Sequence, residues 1–131
     1  MAKQFFYRGK TIQELKKMDL EEFIKLLPAR ERRTLKRGFT EEQKKLLKRI
    51  DSVLQGKSKK PIKTQCRDMI VLPKMVDLMI HIHSGNRYTQ VMILPQMIGL
   101  CLGELSLTRN KVAHSAPGIG ATRSSAAASV K

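Results

Sequence analysis

The most regular pattern of apolar and polar residues lies in the middle of the chain, between about residues 77 and 94. Branched side chains recur at every second position in 78–82 and again in 89–93, and the turn-forming sequence Ser-Gly-Asn lies between the two runs. Because successive side chains of a β-strand point to opposite faces, this period of two is typical of a half-buried strand. The pattern therefore predicts a β-hairpin over about 77–94.

Two neighbouring segments extend this prediction. The apolar run 69–73 predicts an additional edge strand, which ends at Pro73 because proline cannot donate to the hydrogen-bond ladder. Pro95 suits the first turn of a helix, and the apolar residues that follow it fall on one face at helical spacing. We expect this short helix to end near Gly103 and to cover the sheet.

The first third of the chain has helical signals instead. Two patterns of Thr or Asp followed three residues later by Glu begin at Thr11 and Asp19, and such capping boxes predict short helices over about 12–17 and 20–27. A third short helix is predicted over 29–38, where Gly38 is a typical helix stop.

A longer amphipathic helix is predicted after Thr40, over about 41–55. Its apolar residues form one stripe, which requires a protein surface to pack against. Its opposite face is free to meet phosphate. The basic residues of that face are Lys44, Lys45, Lys48 and Arg49.

These patterns predict an α+β fold with a small antiparallel sheet. The chain divides into a basic helical N-terminal region (1–55), a flexible basic linker (56–64), an α+β core (65–110) and an extended, flexible C-terminal tail (111–131). The tail is small, polar and glycine-containing without apolar periodicity, so it cannot bury enough surface to order itself.

Charge narrows the class of partner. The 131 residues contain 26 Lys and Arg against 11 Asp and Glu, a formal net charge of +15. Residues 1–60 hold 18 basic and 8 acidic side chains, and residues 61–131 hold 8 and 3. Such a surface repels itself until a polyanion neutralises it and releases counterions, so we expect a nucleic-acid partner and binding that weakens steeply with salt.

Cysteine content and hydropathy indicate a compartment. Two cysteines, Cys66 and Cys101, without a hydrophobic leader after Met1 predict free thiols in a reducing, cytoplasmic setting. The longest apolar run, about 91–102, is interrupted by polar residues, proline and glycine, and is shorter than the roughly 20 residues that cross a bilayer. No membrane partner is expected.

Four motifs in a fixed order then identify a family. They are RDMIVLPKMV at 67–76, HIHSGNRYTQVMILPQMIG at 81–99, LGELSLTR at 102–109 and PGIGATRSS at 117–125. In order and spacing they resemble the family of ribosomal protein nineteen of the small subunit. FFYRG at 5–9 and ARERRTLKRG at 29–38 resemble its archaeal and eukaryotic branch, whose eukaryotic member is numbered fifteen.

The resemblance implies a structural constituent of the small ribosomal subunit that is not an enzyme and needs no cofactor. It implies an α+β protein of the subunit head that binds ribosomal RNA, supports translation in the cytoplasm and contacts a neighbouring head protein of the thirteen family. It also implies a position near the bridge to the large subunit and a tail directed towards the decoding region, close to tRNA.

The candidate RNA contacts lie at turns, strand ends, basic helix faces and the tail, where a cation reaches phosphate without crossing the core. The best local group is the turn 85–87, because a glycine lets the backbone approach RNA closely, although ordinary hairpin chemistry also explains this glycine. The short helix 29–38 is a solvated basic face or a phosphate-facing helix, and the overall charge favours the second. The predicted rRNA-binding residues are Arg8, Lys10, Arg30, Arg33, Arg37, Arg67, Lys74, Gly85, Asn86, Arg87, Arg109, Lys111, His114 and Arg123.

Other chemistries fit the sequence less well. His81, His83 and His114 lack the spacing of a tetrahedral zinc site, so no metal is predicted. The same histidines with Lys111 would suit a ribonuclease only if the tail were preorganised. Asp68 is predicted to bond locally to its neighbour Arg67.

A DNA-binding protein is the main alternative function. It would place base-reading side chains at the start of the second helix of a helix-turn-helix. Glu41 and Glu42 occupy that position, and phosphates repel them.

Overall fold

A computed structural model describes residues 5–111 and, beyond them, the single residue Arg123. In this part of the chain the helices are α1 (Ile12–Lys17), α2 (Leu20–Leu26), α3 (Ala29–Lys36) and α4 (Glu41–Leu54). The strands are β1 (Phe6–Tyr7), β2 (Lys10–Thr11), β3 (Ile62–Thr64), β4 (Met79–His83) and β5 (Tyr88–Met92). Short 3-10 helices span Pro73–Met75, Pro95–Met97 and Leu102–Leu105. The α+β class is confirmed.

Two of these helices, α1 and α4, begin at a side-chain cap. Thr11 Oγ1 accepts a hydrogen bond from Glu14 N at 3.4 Å, and Glu14 Oε2 accepts one from Thr11 N at 2.8 Å. Thr40 and Gln43 form the same reciprocal pair at the start of α4. The predicted capping box at Asp19 is wrong, because the Asp19 side chain makes no cap hydrogen bond.

The predicted hairpin is confirmed as the antiparallel pair β4 and β5, with Ile82 opposite Thr89. The third strand differs from the prediction. The run 69–73 forms only an isolated bridge between Ile70 and Cys101, whereas β3 pairs in parallel with the other side of β4. The strand β3 lies in the last residues of the predicted linker.

The helix predicted after Pro95 is wrong as well. A single 3-10 turn forms, and Gly99 then adopts a left-handed conformation with φ +87°. The following backbone turns towards the segment 67–71: Leu102 N donates to Met69 O at 2.8 Å and Gly103 N donates to Arg67 O at 2.8 Å. These bonds compete with helical ones, and so two short turns replace the predicted covering helix.

One hydrophobic cluster joins the helices to the sheet. It contains Phe23 of α2, Ile50 of α4 and Met75, together with Ile80 and Ile82 from the inner face of β4. All five side chains are almost fully inaccessible to solvent. The N-terminal helices and the β-sheet therefore pack around a common core, which leaves the outer sheet face and the basic helix faces towards solvent.

Candidate nucleic-acid interface

The hairpin turn presents the best predicted contact group to solvent. Ser84 donates to Arg87 O from its backbone N at 2.8 Å and from its Oγ at 3.0 Å, which closes the turn. Gly85, with φ +107°, has open space where a Cβ would stand. Gly85, Asn86 and Arg87 are all exposed. The turn also faces Leu107, Thr108 and Asn110 across a shallow hollow, so it can receive a polar backbone such as that of RNA.

Helix α3 and its C-terminal cap residue expose the three arginines predicted to bind RNA: Arg30 and Arg33 in the helix and Arg37 at the cap. None of them forms an ion pair with an acid among residues 5–111. Arg32 differs from them, since its Nη2 donates to Leu27 O at 3.0 Å and to Lys25 O at 3.3 Å. Arg32 thus supports the end of α2, while the three predicted arginines remain available to phosphate.

Arg67 is held by the protein backbone. Its Nη1 donates to His83 O at 2.6 Å, and its Nη2 donates to Gly103 O at 2.8 Å and Ser106 O at 2.6 Å. The guanidinium group therefore fastens the end of β4 to the last 3-10 turn. Sequence reasoning placed Arg67 among the RNA-binding cations, whereas these contacts favour a structural role.

Two other predicted partners also differ. Asp68 accepts a hydrogen bond from Gln43 Nε2 at 2.7 Å, so the predicted bond to Arg67 is wrong. Lys74 Nζ lies 3.0 Å from Asp51 Oδ1 and connects the first 3-10 turn to α4. The Lys74 side chain is still about one-third exposed, at 36 %.

The remaining predicted contacts lie on the periphery. Arg8, with φ +50°, and Gly9, with φ +77°, form the two-residue turn between β1 and β2, a conformation that matches the twist of a tight hairpin. Arg8 and Lys10 are exposed, and so are Arg109, Lys111 and Arg123. His114 lies outside the described residues.

The structure also assembles a basic cleft that sequence reasoning missed. It lies between α4 and the segment 58–65, and its cations are Lys45, Lys48, Arg49, Lys60 and Lys63. The acid Glu42 lines one end. We call this feature the α4–β3 cleft.

A direct bond fixes the shape of the α4–β3 cleft. Arg49 Nη1 donates to Lys63 O at 3.2 Å, which holds the helix beside the strand. Lys44, the fourth basic residue of the predicted α4 face, lies outside the cleft and pairs with Glu41 at 3.0 Å. The sequence predicts the basic face of α4. The cleft itself forms only when β3 lies beside that helix.

The outer face of the sheet adjoins this cleft. The His83 and Tyr88 rings meet edge to face with centroids 4.9 Å apart. Lys63 Nζ lies 5.6 Å from the centroid of the Tyr88 ring, and Tyr88 itself lines the cleft. An aromatic ring therefore lines the same hollow as the cations Lys45, Arg49 and Lys63.

The described histidine, cysteine and acidic side chains bear on metal binding and on nucleophilic chemistry. Between residues 5 and 111, no three His, Cys, Asp or Glu side chains are grouped so as to hold a metal ion. Burial raises the pKa of the Cys66 and Cys101 thiols, and so both are poor nucleophiles near neutral pH. None of the described helices has the length and hydropathy needed to cross a membrane.

The chain also matches a known protein family. The family model described as Ribosomal protein S19 matches residues 33–114, which is more than half of the chain. The matched segment contains α4, the α4–β3 cleft and the exposed hairpin turn.

Proposed function

This chain belongs to the ribosomal protein S19 family, and we propose that it acts in the head of the small ribosomal subunit. The family supplies the general function: a structural, non-enzymatic constituent of the small subunit that binds ribosomal RNA and takes part in translation. The observation that carries the proposal is the family match over residues 33–114. The exposed basic surfaces can bind ribosomal RNA because its phosphates neutralise their charge.

The proposed RNA-contact surface consists of the candidate cations other than Arg67, the hairpin turn and His114. Lys74 stays in this set although it pairs with Asp51, because its side chain is still 36 % exposed. Helix α3 and the turn 85–87 are its best-supported parts, since both expose polar or cationic groups. We leave Arg67 out of this surface because three carbonyls already use its donors. The proposed contacts are Arg8, Lys10, Arg30, Arg33, Arg37, Lys74, Gly85, Asn86, Arg87, Arg109, Lys111, His114 and Arg123.

The finer parts of the proposal rest on the motifs of the sequence. We propose that a head protein of the thirteen family is the neighbour and that the segment resembling the family tail, 117–125, approaches the decoding region and tRNA. The particle is proposed to be cytoplasmic. Deleting residues 115–131 should leave the thermal unfolding of the chain unchanged and slow translation by the assembled ribosomes. An unfolded truncated chain would contradict this assignment of the tail.

Fractionation of a cell lysate on a sucrose gradient tests the main proposal. The full-length chain should sediment with small subunits and with whole ribosomes. A chain that remains at the top of the gradient would overturn it.

Directed hydroxyl-radical cleavage tests the position in the head. An iron chelate attached at Asn86→Cys, in a chain that also carries Cys101→Ser, should cut the RNA of the head in reconstituted subunits. The same chelate at Gln13→Cys, an exposed site on α1, serves as the matched control. Cuts confined to RNA outside the head would refute the placement.

A further inference from the structure

We propose that the α4–β3 cleft binds a single-stranded segment of RNA, with one base stacked on the ring of Tyr88. This inference rests on the proposed RNA-binding function and specifies which form of RNA one part of the surface receives. It is independent of the α3 and hairpin-turn contacts, since none of their residues lines the cleft.

The charge of the cleft selects a polyanion. Five cations line its two adjoining hollows, which share Arg49 and Lys63, and Glu42 is the acid among the lining residues. Lys45, Lys48 and Arg49 follow one another along one side of α4 at the spacing of a helical turn, whereas Lys60 and Lys63 come from the strand side. Phosphates that follow the cleft would therefore meet cations from both walls.

The wall that carries Tyr88 selects a base. Tyr88 remains 38 % exposed although it is an aromatic residue of a packed sheet. The edge contact with His83 orients the ring, and Lys63 Nζ lies over it at 5.6 Å. A base that stacks on this ring displaces the ammonium group by a few ångströms, so Lys63 can pair with the phosphate of the same nucleotide.

This combination distinguishes single strands from duplexes. In a duplex the faces of the bases are stacked on one another, and a protein meets mainly phosphate and sugar. In a single strand an unstacked base can lie on an aromatic side chain while basic residues follow the backbone. An exposed ring in a hollow lined by cations suits the second arrangement.

The tyrosine content of the chain provides a direct probe. The sequence contains two tyrosines, Tyr7 and Tyr88, and no tryptophan. In full-length protein with Tyr7→Phe, the tyrosine fluorescence therefore comes from Tyr88 alone. Titration with an eight-nucleotide oligouridylate should quench this fluorescence after correction for RNA absorbance, and an RNA duplex of equal length should quench it less.

Substitution of Tyr88 separates stacking from charge. Tyr88→Ala should weaken oligouridylate binding by about 5- to 150-fold, the usual range for loss of one stacked base. Tyr88→Phe keeps the ring and should bind within about twofold of the parent. Circular dichroism and thermal unfolding of both variants establish that they are folded.

The cations of the cleft provide a second measurement. The double change of Lys48 and Lys60 to Gln should lower the salt slope of oligouridylate binding by about 1 to 1.5, because two phosphate contacts are lost. The double change of Arg30 and Arg33 to Gln, on α3, is the matched control and should leave the Tyr88 quenching intact.

The outcomes separate this inference from the general function. If Tyr88→Ala binds oligouridylate as well as Tyr88→Phe does, the stacking site is refuted while RNA binding stands. If the duplex quenches Tyr88 as strongly as the single strand does, the preference for single strands is refuted. If the parent chain binds neither RNA at low salt, the proposed function itself fails.

Discussion

Helices α3 and α4 are neighbours in the sequence and both are rich in Lys and Arg, but they use these residues differently. Helix α3 buries one side chain, Leu35, and leaves its predicted arginines exposed. Helix α4 buries Gln43, Leu46 and Ile50, and Arg49 on its other face bonds to the backbone of β3. Helix α3 is held through buried Leu35 and the Arg32 bonds to the end of α2, and it exposes its other arginines. Helix α4 packs into the core and forms one wall of the α4–β3 cleft.

The comparison shows that an arginine or lysine becomes structural when the fold brings a carbonyl or carboxylate to it. Arg67 is the extreme case, with three backbone carbonyls as acceptors. Arg33 on α3 has no acceptor among the described side chains or carbonyls. Stability and RNA affinity should therefore respond to different subsets of the 26 basic residues.

The largest effect is expected in the core face of α4. Ile50→Ala removes a fully buried side chain and leaves a cavity, so it should lower the free energy of unfolding by about 2 to 5 kcal/mol. The change Arg33→Ala, on the exposed face of α3, should lower it by less than about 0.5 kcal/mol. Urea unfolding of both variants checks the contrast, and equal losses would show that α3 is packed as firmly as α4.

A smaller loss of stability is expected at Arg67. Arg67→Ala leaves three carbonyls without a charged donor, which should cost about 2 to 3 kcal/mol. Arg67→Lys keeps the charge but lacks the planar fork of donors, so it should recover only part of that loss. Arg87→Ala on the exposed turn is the control. Suppose that Arg67→Ala has the same free energy of unfolding as Arg87→Ala but binds RNA more weakly. Arg67 would then belong to the proposed RNA-contact surface.

The exposed face of α3 should affect affinity and leave stability unchanged. Changing Arg30, Arg33 and Arg37 to Gln removes three candidate phosphate contacts. The dependence of log K on log salt concentration for ribosomal RNA should then become shallower by about 2 to 3. A filter-binding series over several salt concentrations measures this slope. An unchanged slope would mean that α3 is merely a solvated basic face.

The smallest effect concerns the cap of α1. The backbone hydrogen bond from Thr11 lowers the pKa of Glu14 below its ordinary value, although burial opposes this. Because the folded pKa is depressed, the contribution of the cap is present above the unfolded value of 4.5 and is lost as the pH falls through the folded pKa. Replacing Thr11 by Val removes the hydroxyl contact and keeps the backbone N–H, so the pKa of Glu14 measured by NMR should rise only part of the way towards its ordinary value. A full return to the ordinary value would contradict the leading role of the backbone bond.

Local signals were sufficient to predict much of the fold. The capping residues Thr11 and Thr40 fix where α1 and α4 begin, because the bonds they make span only three residues. The alternation in β4 and β5 fixes the hairpin, since the two strands are joined by a short turn. Both kinds of structure are decided by residues close together in sequence.

The parts that sequence reasoning missed depend on distant residues. The strand β3 has three residues, too few to show a period, and its partner Ile80 is 18 positions from Ile62. The acceptors of Arg67 lie 16 to 39 positions away from it. Gln43 gives no apolar signal, yet it is buried because it bonds to both Thr40 and Asp68.

The same reasoning applies to the candidate interface. Exposed cations at turns and on α3 could be selected from sequence, because a charge flanked by turn or cap residues tends to face solvent. The α4–β3 cleft could not, since its two walls come from segments that meet only when β3 is paired. The α4–β3 cleft therefore exists only in the folded chain.

The parallel pairing of β3 with β4 has a consequence for the order of folding. The β4 and β5 pair needs only a short turn to close, and hairpins of this kind form in about 1–10 μs. The pairing of β3 has a larger sequence separation, and a larger loop-closure cost must be overcome before it yields contacts. A nascent chain that has formed only the hairpin therefore has an open edge on β4, where another extended polypeptide can add itself until β3 occupies the position.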